Sequence, residues 1–179
     1  MSSIQSRHSL TCQRVCDAGA VTTEPEGSTP RWLTPDEERA WRAYRRMQTV
    51  LPVAIARDLA RESGLSDPDY DVLSTLSDQP GNRWQLRDLA ARMLWSRSRL
   101  SHHLARMEAR GLVRRASDED DGRNAIVVLT DHGLATLEAA APAHVESVRR
   151  HLVDLATPAE LAALTTLAER VVAEVGDIS

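Results

Sequence analysis

Residues 82–130 read NRWQLRDLAARMLWSRSRLSHHLARMEARGLVRRASDEDDGRNAIVVLT, and this stretch decides the fold. Its apolar residues follow helical and then strand-like periods, in the order helix, turn, helix, strand, loop, strand. Residues 83–115 hold nine Arg and only two acidic residues, Asp88 and Glu108, a net charge of +7 within a chain of −4. A basic segment on an otherwise acidic chain is typical of a module that binds DNA.

Two helices are predicted at the start of this stretch. The apolar face of the first is formed by Leu86, Leu89, Ala90 and Met93. Ser96 supplies the N-cap oxygen of the second helix, and Trp95 and Leu100 occupy the two positions of a hydrophobic staple around that cap. Gly111 ends the second helix at the C′ position. The pattern therefore predicts a helix-turn-helix.

The second helix has two different faces. Because successive residues turn by about 100°, Leu100, Leu104 and Met107 share its inward face. The opposite face combines small residues, which allow close approach, with long hydrogen-bond donors for base edges. The candidate DNA-binding residues of this helix are Arg97, Ser98, Arg99, Ser101, His102 and Arg106. The sequence thus predicts a recognition helix that lies in a major groove.

A β-hairpin is predicted after the second helix. Residues 112–116 and 125–129 are short β-prone runs, and the segment between them, SDEDDGRN, is rich in turn formers. The tip presents Arg123, and Asp121 is close enough in the turn to hold its guanidinium extended. An Arg on so narrow a hairpin is expected to enter the minor groove, where A·T-rich segments concentrate negative potential.

At these residues the chain resembles the MarR family of bacterial winged-helix regulators. The matching motif is residues 108–133, EARGLVRRASDEDDGRNAIVVLTDHG, and the resemblance covers roughly residues 33–175. It implies a mainly α (α+β) fold: a winged helix-turn-helix with a two-stranded wing, plus a helical dimerisation region built from both chain ends. It also implies an obligate homodimer, the wing role of Asp121 and Arg123, and often a small aromatic or acidic inducer.

Capping sequences mark further helix starts. Residues 34–37, TPDE, and 157–160, TPAE, are capping boxes with Pro at the first helical position. Ser66 caps a helix before the stretch described above, and Thr130 caps the helix that follows the hairpin. The sequence therefore predicts six helices around one hairpin.

Three helices carry long apolar stripes. The first stripe is Trp41, Tyr44, Met47 or Gln48, Leu51, Ile55 and Leu59. It continues past Pro52, where a kink is expected, to a helix end near Gly64. The stripe after the hairpin is Leu134, Leu137, Ala141, Val145, Val148, Leu152 and Leu155, and the last is Leu161, Leu164, Ala168, Val171 and Val175. An intramolecular core could cover the last two, but stripes so far from the basic module fit a two-fold dimer better.

The expected organisation is a flexible extension, residues 1–30, followed by a MarR-like domain, residues 31–179. Within that domain residues 31–65 and 131–176 supply dimerisation helices, and residues 66–130 form the winged-helix region. The extension has no sustained hydrophobic periodicity and is rich in Ser, Thr, Gly and Pro, which favours disorder.

Both cysteines, Cys12 and Cys16, lie in this extension. Their spacing would suit a redox or metal pair on one helix face. Together with His8 they supply too few ligands for a closed zinc site, and ordinary reduced thiols are the favoured interpretation. A thiol redox-sensing regulator remains an alternative hypothesis.

Trp41, Tyr44 and Tyr70 are the candidate ligand contacts, since the resemblance places the inducer cavity between the dimerisation helices and the winged helix. Simple core packing is the commoner use of aromatic residues at helical spacing. His144 and His151, one heptad apart, could share a face. A solvated or hydrogen-bonded pair is favoured over a metal site there, and no metal is expected.

The chain lacks a glycine-rich phosphate loop, a paired Cys motif with zinc spacing and a Gly-x-Ser-x-Gly nucleophile motif. An enzyme is therefore not expected, nor is a cofactor. No apolar run approaches the roughly 18 residues of a membrane span, and the N-terminus has no apolar signal core. Both observations favour a cytoplasmic protein with no membrane partner.

The expected function is that of a dimeric transcriptional regulator, a repressor, that binds a pseudopalindromic operator in double-stranded DNA and is released by a small ligand. A winged helix can also serve as a protein-interaction module. The basic face and Arg123 favour DNA, because a protein-binding face would be more apolar.

Overall fold

The computed structural model describes residues 30–117 and 125–176. The helices are α1 (Pro35–Ser63), α2 (Asp67–Ser77), α3 (Leu86–Arg92), α4 (Arg97–Ala109), α5 (Asp131–His151) and α6 (Pro158–Val175). The strands are β1 (Arg83–Gln85), β2 (Val113–Ser117) and β3 (Ala125–Leu129), and 3₁₀ turns lie at Pro80–Asn82 and Val153–Leu155. The chain divides after Arg39 into two units. The second unit contains α1 from Ala40 onward and all the helices and strands that follow it.

Side-chain caps start five of the six described helices, all except α3, at the predicted residues. Reciprocal capping boxes join Thr34 with Glu37, Ser66 with Asp69, and Thr157 with Glu160. Ser96 and Thr130 cap α4 and α5 through their hydroxyl oxygens. Each cap accepts a backbone N–H that has no partner inside its helix. α1 includes Pro52 and ends at Ser63, followed by Gly64 in the left-handed conformation with φ of 69°.

The winged-helix region has a closed aliphatic core. Its fully buried side chains include Val72, Leu73, Leu76, Leu89, Leu100, Leu104, Met107 and Val127. They come from α2, α3, α4 and the sheet, which therefore share one core. The inward faces predicted for α3 and α4 are confirmed by this burial. Because no Phe is present, branched aliphatic side chains and Met fill the interior.

The sheet has three antiparallel strands, in the order β1-β3-β2: the two strands of the expected wing and one short strand beside them. β2 and β3 form the predicted hairpin, and β1 pairs with the other edge of β3, with Trp84 opposite Val127. β1 is only three residues long, too short to show an alternating pattern. Its pairing gives partners to backbone groups of β3 that would otherwise be exposed at an edge.

The joint between the hairpin and α5 depends on Gly133. A Cβ at this position would lie 2.0 Å from the Leu112 carbonyl oxygen, which no side chain could tolerate. The hydroxyl of Thr130 donates to the carbonyl oxygen of Gly111 at 2.6 Å and caps the first turn of α5. The Leu-Thr-Asp-His-Gly sequence thus fastens α5 to the end of the recognition helix.

The last two helices are covered to different degrees. α5 buries Leu137, Ala140 and Ser147, whereas α6 buries no residue. α5 ends at His151, earlier than its predicted apolar stripe, because the chain tightens into a 3₁₀ turn that leaves Leu155 77% exposed. The α6 stripe lies open along the single chain.

Two further findings concern the part of the chain that the structure describes. None of its helices is long and apolar enough to cross a membrane. No three His, Cys, Asp or Glu side chains within it come together as metal ligands.

Candidate nucleic-acid interface

The outer face of α4 carries the side chains that the sequence singled out. Exposed residues on it are Arg97, Ser98, Arg99, His102 and Arg106, and Ser101 beside them is partly buried. The inner face packs into the core, so the helix is fixed while its polar side faces solvent. The structure therefore brings the six candidate residues of α4 together on one surface.

Arg99 lies over an aromatic face at the start of α4. Its guanidinium carbon is 4.1 Å from the centre of the Trp95 ring. Trp95 in turn meets the ring of His103 edge-on, with centroids 5.4 Å apart and an interplanar angle of 88°. A cation over a tryptophan face is favourable by about 0.5–1 kcal/mol at an exposed site, so Trp95 supports Arg99 from below.

Arg106 is held by a hydrogen bond to a buried histidine. Its Nη2 donates to Nδ1 of His103 at 2.8 Å, and its Nη1 donates to the carbonyl oxygen of His102 at 3.4 Å. His103 is only 7% exposed. The sequence analysis did not single out His103, although its helical position, three residues after Leu100, places it on the inward face of α4.

Asp69 of α2 contacts two residues of the α4 segment, His103 and Arg110. Asp69 is 4% exposed, and its carboxylate accepts from Nη1 of Arg110 at 2.7 Å and lies 3.1 Å from Nε2 of His103. Burial opposes ionisation of this carboxyl, but hydrogen bonds from Arg110 and Ser66 outweigh it and hold the pKa of Asp69 below its usual value. Asp69 is therefore an anion that caps α2 and also orients groups on α4.

The hairpin is fastened to α4 on the other side. The backbone N–H of Arg115 donates to Glu108 at 2.8 Å, and its guanidinium donates to the carbonyl oxygen of Ser101 at 2.6 Å. The same guanidinium lies 3.3 Å from the Glu108 carboxylate. The recognition helix is consequently held by α2 through Asp69 and by β2 through Arg115.

Comparison with known proteins identifies the family. A model of the MarR family matches residues 63–124. The transcriptional regulator HosA of Escherichia coli is 35% identical over 101 residues, which are 56% of this chain and 73% of HosA. The crystal structure of AbsC, a MarR family transcriptional regulator from Streptomyces coelicolor, matches with a TM-score of 0.76 and 40% identity, over 82% of this chain and 98% of AbsC. The chain belongs to the MarR family.

A second MarR family structure is similar over the same range. Sco3205 from Streptomyces coelicolor, solved in complex with DNA, matches with a TM-score of 0.76 and 38% identity, covering 83% of this chain and 92% of Sco3205. The similarity confirms the winged-helix architecture predicted from the sequence. The chain is accordingly a MarR family transcriptional regulator, as the family match and HosA also indicate.

Four of the residues singled out in the sequence lie in parts of the chain other than residues 30–117 and 125–176. Asp121 and Arg123 of the wing, and Cys12 and Cys16 of the extension, lie outside the described residues. Their predicted roles remain predictions.

The three candidate ligand residues fall into two groups. Trp41 and Tyr44 pack together with ring centres 5.8 Å apart, and both are about half exposed. Tyr70 stacks instead on His144, with centroids 4.2 Å apart, and His151 approaches Asp58. The two histidines therefore contact different partners and are not hydrogen-bonded to each other, which was one of the two arrangements expected.

Two of the cavities on the described surface are lined by residues other than the candidate ligand residues. One, of about 290 Å³, is lined by Asp71, Thr75, Arg92, Met93 and Trp95. The other, of about 220 Å³, lies between α1 and α5 and is lined by charged side chains around Asp58. In the single chain, therefore, none of Trp41, Tyr44 and Tyr70 lines either of these two cavities.

Proposed function

We propose that this MarR family chain is a homodimeric, sequence-specific DNA-binding repressor of transcription that recognises a pseudopalindromic operator. The observation that carries the proposal is the outer face of α4. There Arg99 lies over the Trp95 ring, and Arg106 donates a hydrogen bond to His103. An Arg held in this way can bond bidentately to guanine in a major groove. Sco3205, which is 38% identical, was solved in complex with DNA, and this supports DNA as the partner of this chain.

The exposed stripe of α6 supports the homodimer. Leu164, Leu167, Val171, Val172 and Val175 are between 38% and 67% exposed in the single chain. A continuous apolar surface of this kind usually marks an interface. A second copy related by a two-fold axis would cover it with the same stripe of its own.

The dimer sets the geometry of the operator. A two-fold pair of recognition helices reads half-sites about one helical turn apart, ~34 Å or ~10 base pairs from centre to centre. If each dimer neutralises about 6 to 10 phosphates, log affinity should fall with log salt concentration with a slope of about −5 to −9.

Selection of bound fragments from random double-stranded DNA tests the proposal directly. Purified protein should enrich a sequence with dyad symmetry and the half-site spacing given above. Failure to enrich any sequence would contradict sequence-specific binding and would favour the alternative of a winged helix that binds protein. Enrichment without dyad symmetry would contradict the two-fold dimer.

Substitutions then assign roles within the interface. Arg99→Ala and Arg106→Ala should each weaken binding by about 1–3 kcal/mol and flatten discrimination at particular central positions of a half-site. Arg123→Ala should weaken binding to all operator variants by a similar ~1–3 kcal/mol and change preference only at the flanks. Arg149→Ala is the control, since this exposed α5 residue pairs with Asp154 and should leave both properties unchanged. Wild-type affinity in Arg123→Ala would contradict the wing role.

Release by a small aromatic or acidic ligand is a finer part of the proposal, with Trp41, Tyr44 and Tyr70 as its contacts. A ligand releases DNA only if it binds the DNA-incompetent arrangement of the dimer more tightly. Aromatic acids can be screened by quenching of tryptophan fluorescence, followed by DNA affinity in their presence. The expected hit quenches wild type, fails to bind Tyr70→Ala and weakens DNA binding. A screen in which no binder weakens DNA binding would count against ligand release.

A further inference from the structure

The contact between Arg106 and His103 fixes the protonation state of the buried ring. Arg has only hydrogen-bond donors, and its Nη2 lies 2.8 Å from Nδ1 of His103. Nδ1 must therefore be the accepting nitrogen, without a proton. In a neutral imidazole the proton then sits on Nε2.

The surroundings of His103 agree with a neutral ring of this tautomer. Burial lowers the pKa of His103, and the positive charges of Arg106 and Arg110 lower it further, although the Asp69 carboxylate acts in the opposite direction. Nε2 faces Oδ1 of Asp69 at 3.1 Å. The alignment of that contact falls short of a regular hydrogen bond, so the attraction between N–H and carboxylate is chiefly electrostatic.

We propose that His103 is a positioning residue for DNA recognition: its neutral ring, oriented by Asp69, accepts a hydrogen bond from Arg106 and holds that guanidinium on the groove face of α4. This inference rests on the proposed function. It adds to that function a buried group that touches no DNA and yet determines how one base-reading arginine is presented.

The two arginines of the face are supported in different ways. Arg99 lies against the flat ring of Trp95, an attraction that tolerates sliding. Arg106 is instead held by directional hydrogen bonds, a short one from Nη2 to His103 and a longer one from Nη1 to the His102 carbonyl oxygen. An arginine whose fork is already oriented loses less conformational freedom when it binds. His103 should therefore matter most for discrimination at the base that Arg106 contacts.

Two substitutions separate the accepting nitrogen from the bulk of the ring. His103→Leu fills the buried space but offers no acceptor. His103→Asn is smaller, but its side-chain oxygen is bonded to Cγ, as Nδ1 is in histidine, and can still accept a hydrogen bond. If His103 only fills space, the Leu variant should resemble wild type more closely. If it positions Arg106, the Asn variant should.

The first measurement is affinity for a panel of single-base variants of the selected operator. His103→Leu should lose the same base discrimination as Arg106→Ala, and adding it to Arg106→Ala should change affinity by no more than about 2-fold, since the two share one interaction. His103→Asn should retain discrimination at that base. Leu104→Val is the control, because its cost should be the same whether residue 106 is Arg or Ala.

The outcomes distinguish this inference from the function on which it rests. If an operator is enriched but the effects of His103→Leu and Arg106→Ala are additive, the proposed role of His103 is overturned while the proposed function stands. A wild-type protein that binds no DNA sequence would overturn both.

A second measurement needs no DNA and no variant. Long-range nitrogen–proton correlation spectra of the full chain at neutral pH should show an unprotonated Nδ1 and a protonated Nε2 for His103. A proton on Nδ1 would overturn the inference even if His103→Leu failed to fold.

Discussion

The winged-helix region and α6 use apolar side chains in opposite ways. In the first, Leu73, Leu100 and Leu104 are completely buried by elements of the same chain. In α6, Leu167 and Val171 repeat at helical spacing but remain 57% and 50% exposed. The sequence pattern of the two regions is similar, so periodicity identifies an apolar face without showing what covers it.

This difference indicates which part of the molecule can hold its structure alone. The free energy of burial in the winged-helix region is gained within one chain, whereas that of the α6 stripe can be gained only on contact with another surface. A region of the first kind should respond to core substitutions at every protein concentration. The second kind should respond through association.

The largest effect is expected for a substitution in the closed core. Leu104→Ala removes a fully buried side chain of α4 and should lower the free energy of unfolding by about 2–5 kcal/mol. The matched change in α6 is Leu164→Ala, at a residue 38% exposed. Urea unfolding at several protein concentrations should show a constant loss for the first and a concentration-dependent loss for the second. Equal, concentration-independent losses would remove the distinction between the two regions.

The next effect concerns association. Val171→Glu places a charge in the α6 stripe. Because an unpaired charge buried at an interface costs about 3 kcal/mol or more, the dissociation constant of the dimer should rise about 100-fold or more. Thr166→Glu is the control, because this residue lies on the opposite side of α6 and is exposed. Light scattering should report the 19.8 kDa of one chain for Val171→Glu and twice that mass for the control. A wild type of 19.8 kDa would contradict the dimer itself.

Capping and periodicity were sufficient to predict most of the fold. Ser66, Ser96 and Thr157 bond to backbone groups three residues away, so each cap is written within one short segment. The contact of Asp69 with Arg110 joins residues 41 positions apart. Nothing in the local pattern distinguishes this buried carboxylate from an exposed one, and for that reason the support beneath the recognition helix was not predicted.

Asp58 of α1 is a buried carboxylate at the contact between α1 and α5. It is 3% exposed, and its Oδ2 accepts from Ser147 of α5 at 3.0 Å and lies 2.8 Å from Nε2 of His151. Nη1 of Arg61 lies 3.4 Å from its Oδ1, and Nη1 of Arg150 lies 3.5 Å from its Oδ2. This cluster is the point at which α1 and α5 are joined by polar contacts.

The last prediction uses acid pH to test that joint. The hydrogen bond from His151, aided by Ser147, Arg61 and Arg57, outweighs burial and lowers the pKa of Asp58 from 3.8 to about 2. Because the folded state binds this proton less readily than the unfolded state, the carboxylate stabilises the fold above about pH 4, and that contribution is lost as the pH falls towards 2.

Urea unfolding across this range should therefore show a steeper loss of stability in wild type than in Asp58→Asn. Asp154→Asn serves as the control, since its carboxylate forms an exposed pair with Arg149, a kind of contact that contributes little. Its pH profile should run parallel to wild type. A parallel profile for Asp58→Asn as well would mean that the α1–α5 joint gains nothing from the charge, and that apolar contacts around Leu59 and Leu137 alone hold the covered region together.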